Sequence, residues 1–246
     1  MTPESLLECF HETADAVRDA VATLEGAGRR GRTERPGQYA LDVVADEAAL
    51  EVLRGAGVRV VSEESAETGA DEPITVVIDP IDGSTNCARG IAYWCTSLCA
   101  IDAAGAFVSL VANHATGQRT SAVRGEGAFR DGVQLEASST KNIEESVIAL
   151  GGWPRVMLRA KQTRMLGSIA LELCDVAAGG LDGHVDGGRY MAPWDYLGGL
   201  LVCREAGAVV LDARGEELVT DDHTARRQIV AAGTQELADA LLAAIT

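Results

Sequence analysis

Val76-Val77-Ile78-Asp79-Pro80-Ile81-Asp82-Gly83-Ser84-Thr85-Asn86 decides how the rest of the chain is read. Three β-branched apolar residues run into two carboxylates, and these lead into a glycine and two hydroxyl residues. The pattern predicts a buried strand that ends where charge begins. Pro80 forbids a continuing ladder and disfavours α geometry at Asp79, so the chain should turn with Asp79 and Asp82 on one side. Hard divalent cations such as Mg²⁺ bind through one or two carboxylates together with substrate phosphate. Gly83, Ser84 and Thr85 read as the first turn of a helix, with free N–H groups and a positive dipole end facing an anion. The plainer alternative is an Asp-rich turn in which Ser84 or Thr85 only caps a helix.

Working outward, the 246 residues suffice for one large or two moderate lobes, and 47% apolar content fits a globular protein. No run of eighteen apolar residues occurs, and the first residues lack the basic and apolar regions of a signal peptide, so a cytoplasmic protein is expected. A net charge of -16 with 4% aromatic residues argues against a nucleic-acid or anionic-membrane surface, which needs a basic footprint. Cys9, Cys87, Cys95, Cys99, Cys174 and Cys203 form no C-x-x-C pair and read as reduced thiols in apolar surroundings.

Upstream, Leu7, Phe10, Ala14, Val17, Val21 and Leu24 predict an amphipathic helix over 4–25. The glycine- and arginine-rich segment 26–37 reads as a mobile loop whose arginines could reach a phosphate. A helix over 42–55 would carry Asp46 in its first turns, and a strand at 58–61 delivers Glu63 at its carboxyl end. Two such strands, joined by an acidic connection over 66–73, would bring Glu63 beside Asp79. Downstream, residues 93–135 alternate as an antiparallel meander. The composition then returns to mixed α/β, which places a lobe boundary near 138: residues 1–138 form an α+β lobe and 139–246 an α/β lobe. In the second lobe, a strand at 147–150 precedes a helix that begins near Ser168, after Gly167. Asp195 opens another helix to about Ala206, strands follow at 209–211 and 228–231, and a terminal helix starts near Thr234.

Glu63-Glu64-Ser65, Asp79-Pro80-Ile81-Asp82-Gly83-Ser84-Thr85-Asn86 and Trp194-Asp195-Tyr196-Leu197-Gly198-Gly199 together resemble, in order and separation, the inositol monophosphatase family of Mg²⁺-dependent, Li⁺-sensitive sugar phosphatases. Gly125-Glu126-Gly127-Ala128-Phe129 and Gly167-Ser168 extend the resemblance over nearly the whole chain. It implies a layered αβαβα sandwich, a homodimer, and two or three Mg²⁺ ions. Glu63, Asp79 and the Ile81 carbonyl would hold one cation, and Asp79, Asp82 and Asp195 a second. Asp46 and Ser84 would orient the attacking water. Gly83, Ser84 and Thr85 would grip the phosphate, with Asp82, Gly167 and Ser168 near the alcohol portion of a small phosphate monoester. No covalent intermediate is needed for such two-metal hydrolysis.

The chain departs from the family at several points. Ala40-Leu41-Asp42-Val43 replaces the Asp-x-x-Thr ahead of the water-orienting Asp, Cys87 replaces an aromatic, and Ile169 stands where a small residue is common. The acid that contacts inositol hydroxyls is absent near Gly187-Gly188-Arg189, although Asp186 is close. Histidinol phosphate, fructose 1,6-bisphosphate and 3′-phosphoadenosine 5′-phosphate are therefore alternative substrates. A non-catalytic scaffold is the reading from another class.

Overall fold

The computed structural model describes residues 1–69 and 72–246, so part of the expected acidic connection, Ala70 and Asp71, lies outside the described residues. Apolar positions three and four apart give α1 (Pro3–Ala22) one buried stripe of Leu6, Phe10, Ala14, Val17 and Val21. The segment 26–37 is not the plain loop its glycines suggest. It carries a short helix, α2 (Gly26–Arg30), and an antiparallel bridge from Arg32 to Tyr39. Its arginines organise it: the Arg32 guanidinium stacks 3.5 Å from the centre of the Tyr39 ring, and Arg29 lies over Trp94. In α3 (Ala40–Gly55), Leu41, Ala45, Ala49, Leu50 and Leu53 face the core.

Strands β1 (Arg59–Ser62), β2 (Ala66–Thr68) and β3 (Thr75–Asp82) begin the first sheet. Here the structure corrects the expected end of the strand at Asp79. β3 continues to Asp82, and its pairing with β4 shifts register between Asp79 and Asp82. A bulge absorbs the N–H that Pro80 lacks, and the Pro80 carbonyl accepts a 2.8 Å hydrogen bond from Thr96 Oγ1. The helix α4 (Ser84–Arg89) follows. The expected meander is β4 (Cys95–Asp102), β5 (Gly105–Asn113), β6 (Arg119–Val123), β7 (Gly127–Arg130) and β8 (Val133–Gln134). The sheet order is β2-β1-β3-β4-β5-β6-β7-β8, with β1 parallel to β3.

The second sheet is made of β9 (Val147–Gly151), β10 (Gln162–Arg164), β11 (Gly183–Asp186), β12 (Val209–Asp212) and β13 (Ile229–Ala232), in the order β10-β9-β11-β13-β12. Its helices are α5 (Ile169–Ala177), α6 (Pro193–Glu205) and α7 (Gln235–Ile245).

Period-two alternation sorts the layers. Val76 and Ile78 of β3 pack with α1 and α3, whereas Val77 faces α5 and α6. On the other side, Ile229 and Ala231 of β13 face α5 and α6, while Val230 and Ala232 pack on α7. Helix pair, sheet, helix pair, sheet and helix give the αβαβα sandwich. Among the described residues, no helix is long and apolar enough to cross a membrane. All six cysteines are free thiols, and Cys87, Cys95, Cys99, Cys174 and Cys203 are buried.

One charged group ties the middle layer to the second sheet. His184 of β11 is fully buried, with Nε2 3.0 Å from Asp186 Oδ1 and Nδ1 2.8 Å from Glu172 Oε2 of α5. The second contact is off the line of a good hydrogen bond, so its attraction is that of an ion pair. Burial alone would lower the His184 pKa, but the charges of Asp186 and Glu172 and the hydrogen bond to Asp186 outweigh it and hold it up to about 10. A raised folded pKa means that this contribution is full below the unfolded value, near 6.5, and is lost as pH rises through about 10.

Two expected outcomes follow from this packing. His184→Leu leaves two buried carboxylates without a counter-charge and should cost about 3–5 kcal/mol near neutral pH, a gap that narrows toward pH 10 in urea unfolding. We propose the passage from β8 to β9 as the junction of lobes 1–138 and 139–246. Because α5 and α6 cover the Val77 face of the first sheet, a 1–138 fragment should not fold alone; circular dichroism and gel filtration of that fragment check this.

Candidate active site

Parallel pairing of β1 with β3 sets Ser62 opposite Ile78, and the Glu63 N–H donates to the Ile78 carbonyl at 3.3 Å. Glu63 thus leaves its strand beside Asp79. Asp79 is buried, and its Oδ1 accepts the Ile81 N–H at 2.9 Å across the bulge. Asp195 comes from the other lobe, in the first turn of α6, where Oδ2 accepts the Ala192 N–H at 2.6 Å. It is a capping residue with its second oxygen to spare.

Burial is the largest influence on each of these acids and raises them all; mutual repulsion adds to it. Asp79 is held well above the usual carboxylate range by burial and then by Glu63, Asp82, Asp195 and Asp42. Burial, Glu63 and Asp82 raise Asp195 likewise. Burial, then Glu64 and Asp42, push Glu63 up to about 7, opposed by a hydrogen bond with Asp79. Asp82 is also pushed up to about 7 by burial, although hydrogen bonds from Ser168 and Ala170 oppose this.

A frame of hydrogen bonds holds these groups. Asp82 Oδ2 accepts from Ser168 Oγ and from the Ala170 N–H, both at 2.7 Å. The loop that carries Ser168 is fixed in turn by Glu172 Oε1, which accepts the Leu166 and Gly167 N–H groups at 3.0 and 3.2 Å. Asn86 Nδ2 donates to the Tyr93 and Leu166 carbonyls at 2.8 and 2.7 Å and ties α4 to the same loop. Gly83 has φ +89, and a Cβ there would lie 3.1 Å from the Gly167 and Tyr93 carbonyls. Only glycine combines that backbone with that approach.

The positions named from the sequence fall into two groups. Glu63, Asp79, Asp82 and Asp195 share one electrostatic cluster, with Ile81 in the bulge between two of them. Gly83 caps α4 without a side-chain hydrogen bond, so neither Ser84 nor Thr85 serves as its cap. Ser84 is the first residue of α4, and Thr85 Oγ1 lies 3.3 Å from the Tyr39 hydroxyl. Gly167 stands against Asn86, and Ser168 is buried and occupied with Asp82.

Asp46 Oδ1 accepts from Ser62 Oγ at 2.5 Å, on the residue before Glu63, and burial raises the acid. Asp42, one turn earlier, adds its charge to the field on Glu63 and Asp79. Its Oδ2 accepts the Tyr39 N–H at 2.8 Å, while its Oδ1 is buried without a partner among the described residues. Burial pushes Asp42 up to about 7. The sequence carried a signal for it, since two aspartates four apart lie on one helix face and only the fold tells which meets Glu63. Asp186 is engaged inward, with Oδ1 on His184 and Oδ2 accepting the Ile229 N–H at 2.9 Å.

Among the described residues, no three acidic, histidine or cysteine side chains already form a closed metal cage. The donor set nevertheless fits a hard cation. Asp79, Asp82 and Asp195 each turn an oxygen to a backbone N–H, which leaves the other for a ligand, and Asp42 Oδ1 is orphaned. Buried acids that raise one another need positive charge to ionise together.

The model of the inositol monophosphatase family matches residues 11–246. Fructose-1,6-bisphosphatase/inositol-1-monophosphatase of Archaeoglobus fulgidus is 34% identical over 247 residues, covering 94% of this chain and 95% of its own. Fructose-1,6-bisphosphatase of Pyrococcus furiosus is 32% identical over 205 residues, 82% of this chain and 81% of its own. A solved Pyrococcus horikoshii protein, described as having similarities to inositol-1 monophosphatase, superposes with a TM-score of 0.90 at 26% identity, over 100% of both chains. By its whole-length match and its fold, this chain belongs to the inositol monophosphatase family and is a phosphoric monoester hydrolase.

Proposed function

We propose that the protein is a Mg²⁺-dependent phosphatase of small polyol or sugar phosphates, with water as the nucleophile. The observation that carries this reading is the cluster of Glu63, Asp79, Asp82 and Asp195, in which three acids from both lobes converge on the buried Asp79 and raise its pKa. Glu63, Asp79 and the Ile81 carbonyl would hold one cation; Asp79, Asp82 and Asp195 would hold a second. When bound, the cations polarise the phosphoryl oxygens and make water a better nucleophile near neutral pH.

This chain's own groups do the positioning. Gly83 and Ser84 N–H groups would bind phosphate oxygens, with Thr85 beside them, and the Ser84 hydroxyl would orient the water. For the carboxylate that accepts the water's proton we favour Asp42 over Asp46. What supports Asp42 is its orphaned Oδ1 and its field on Asp79 and Glu63, while Asp46 is committed to Ser62. Ser168 acts through Asp82, and Gly167 lets the loop approach α4.

The reading extends to a cytoplasmic, Li⁺-sensitive homodimer; the six free thiols support the compartment. Fructose 1,6-bisphosphate is the favoured second substrate, because relatives at 32–34% identity carry that activity in their names.

Phosphate release from inositol 1-phosphate and fructose 1,6-bisphosphate, with and without Mg²⁺, tests the class. Asp79→Asn should abolish it while leaving the fold intact by circular dichroism; retained turnover sinks the site, and a wild type inert on every phosphate ester favours a scaffold. Asp42→Asn should lower kcat by at least about a hundredfold, within the range of general acid–base contributions. Asp46→Asn should leave kcat within about threefold, and the reverse order would restore Asp46. Ser168→Ala should raise the Mg²⁺ concentration for half-maximal activity by about tenfold, as loss of a ligand's supporting hydrogen bond does.

A further inference from the structure

Beside the site, the structure gathers arginines that have no acid to neutralise them. Arg29 and Arg30 of α2, Arg32 beyond it and Arg89 at the end of α4 take part in no ion pair among the described residues. Other arginines of this chain of net charge -16 do meet carboxylates, Arg18, Arg35, Arg119, Arg124 and Arg130 among them, so it is the grouping of four unpaired guanidinium groups on one concave surface that sets this place apart. Neutral groups hold the unpaired ones in place instead. Arg32 stacks on Tyr39, and Arg29 lies 5.9 Å from the Trp94 ring centre with Nη2 3.4 Å from Cys87 Sγ. Arg30 Nε donates to the Ala88 carbonyl at 3.4 Å, and Arg29 Nε is buried without a hydrogen-bond partner among the described residues. A guanidinium positioned by rings and carbonyls is ordered yet keeps its full charge toward a ligand.

These groups also share a concave surface. A depression of about 680 Å³ is lined by Gly26, Arg29, Arg30, Ala88, Arg89 and Gly90. An adjoining one of about 300 Å³ is lined by Arg30, Arg32, Tyr39, Ala88 and Arg89. Small residues form the floor between the guanidinium groups, so an anion can come close to several N–H donors at once. Arg32 also lies in the field of Asp42, whose Oδ2 accepts the Tyr39 N–H. Forked donors and a local excess of positive charge suit the three terminal oxygens of a phosphate monoester dianion better than a single carboxylate.

We infer that Arg29, Arg30, Arg32 and Arg89 form a second phosphate-binding site, one short helix away from the acidic cluster. From Ser84 to Arg89, α4 rises about 8 Å. The phosphate is either the distal group of a bisphosphorylated substrate or part of a separate phosphorylated ligand. Only the first of these rests on the phosphatase reading.

Inorganic phosphate titrated calorimetrically into the full chain in EDTA isolates this site, because the acidic cluster then repels anions. Binding should occur, weaken at least tenfold in the Arg30→Gln/Arg89→Gln double variant, and persist in Arg214→Gln, an exposed arginine elsewhere. Circular dichroism confirms that each protein is folded. No binding, or binding that the double variant keeps, overturns the site. Kinetics of the Mg²⁺-loaded protein then identify the source. A KM for fructose 1,6-bisphosphate raised about tenfold, with that for inositol 1-phosphate unchanged, assigns the site to the substrate's distal phosphate. Unchanged KM values alongside lost phosphate binding assign it to a separate ligand. Absence of all turnover would count against the phosphatase reading alone, since the calorimetry stands without it.

Discussion

Repulsion among buried carboxylates is the constraint on which this structure depends. Asp79 and Asp82 are buried and Asp195 is partly so; Glu63, Asp82 and Asp195 raise the pKa of Asp79, and Glu63 and Asp82 raise that of Asp195. A cluster of this kind weakens a fold unless positive charge or a frame of donors offsets it. The frame is visible at every acid: Ile81 N–H on Asp79, Ala170 N–H and Ser168 on Asp82, Ala192 N–H on Asp195, and Tyr39 N–H on Asp42. Each of these bonds occupies one oxygen and orients the other.

The layers around the cluster follow from where those donors have to come from. The first sheet supplies Glu63, Asp79 and Asp82, and the middle helices supply the caps and loops that meet them. Gly83 permits α4 to press against the Gly167 loop, and Asn86 fastens the two. Behind the loop, Glu172 holds Leu166 and Gly167 with one oxygen and meets His184 with the other. The buried histidine therefore connects the second sheet to the position of Asp82 through two intervening groups. Asp186 belongs to this connection, with Oδ1 on His184 and Oδ2 accepting the Ile229 N–H.

Sequence and structure part company where a residue's role depends on its neighbours across the fold. Asp42 and Asp46 lie four apart on one helix and are indistinguishable by spacing, yet one meets Tyr39 and the acidic cluster while the other meets Ser62. Pro80 reads locally as the end of a strand, but a bulge lets β3 run on to Asp82. The segment 26–37 reads as a loop because glycines dominate its pattern, whereas Tyr39 just beyond it and Trp94 from across the fold order its arginines.

What the sequence determined by itself was the chemistry and the layering. The continuous apolar run Val76-Val77-Ile78 requires a strand buried on both faces, and the acids of 63–64, 79–82 and 195, in that order, carry the resemblance to the phosphatase family. These follow from residue type and period, which are local properties. Only the tertiary structure decided which acids share a field, which of their oxygens are free, and which arginines lack partners. Those outcomes depend on distances between segments far apart in the chain, and electrostatic effects in a buried seam change steeply with such distances.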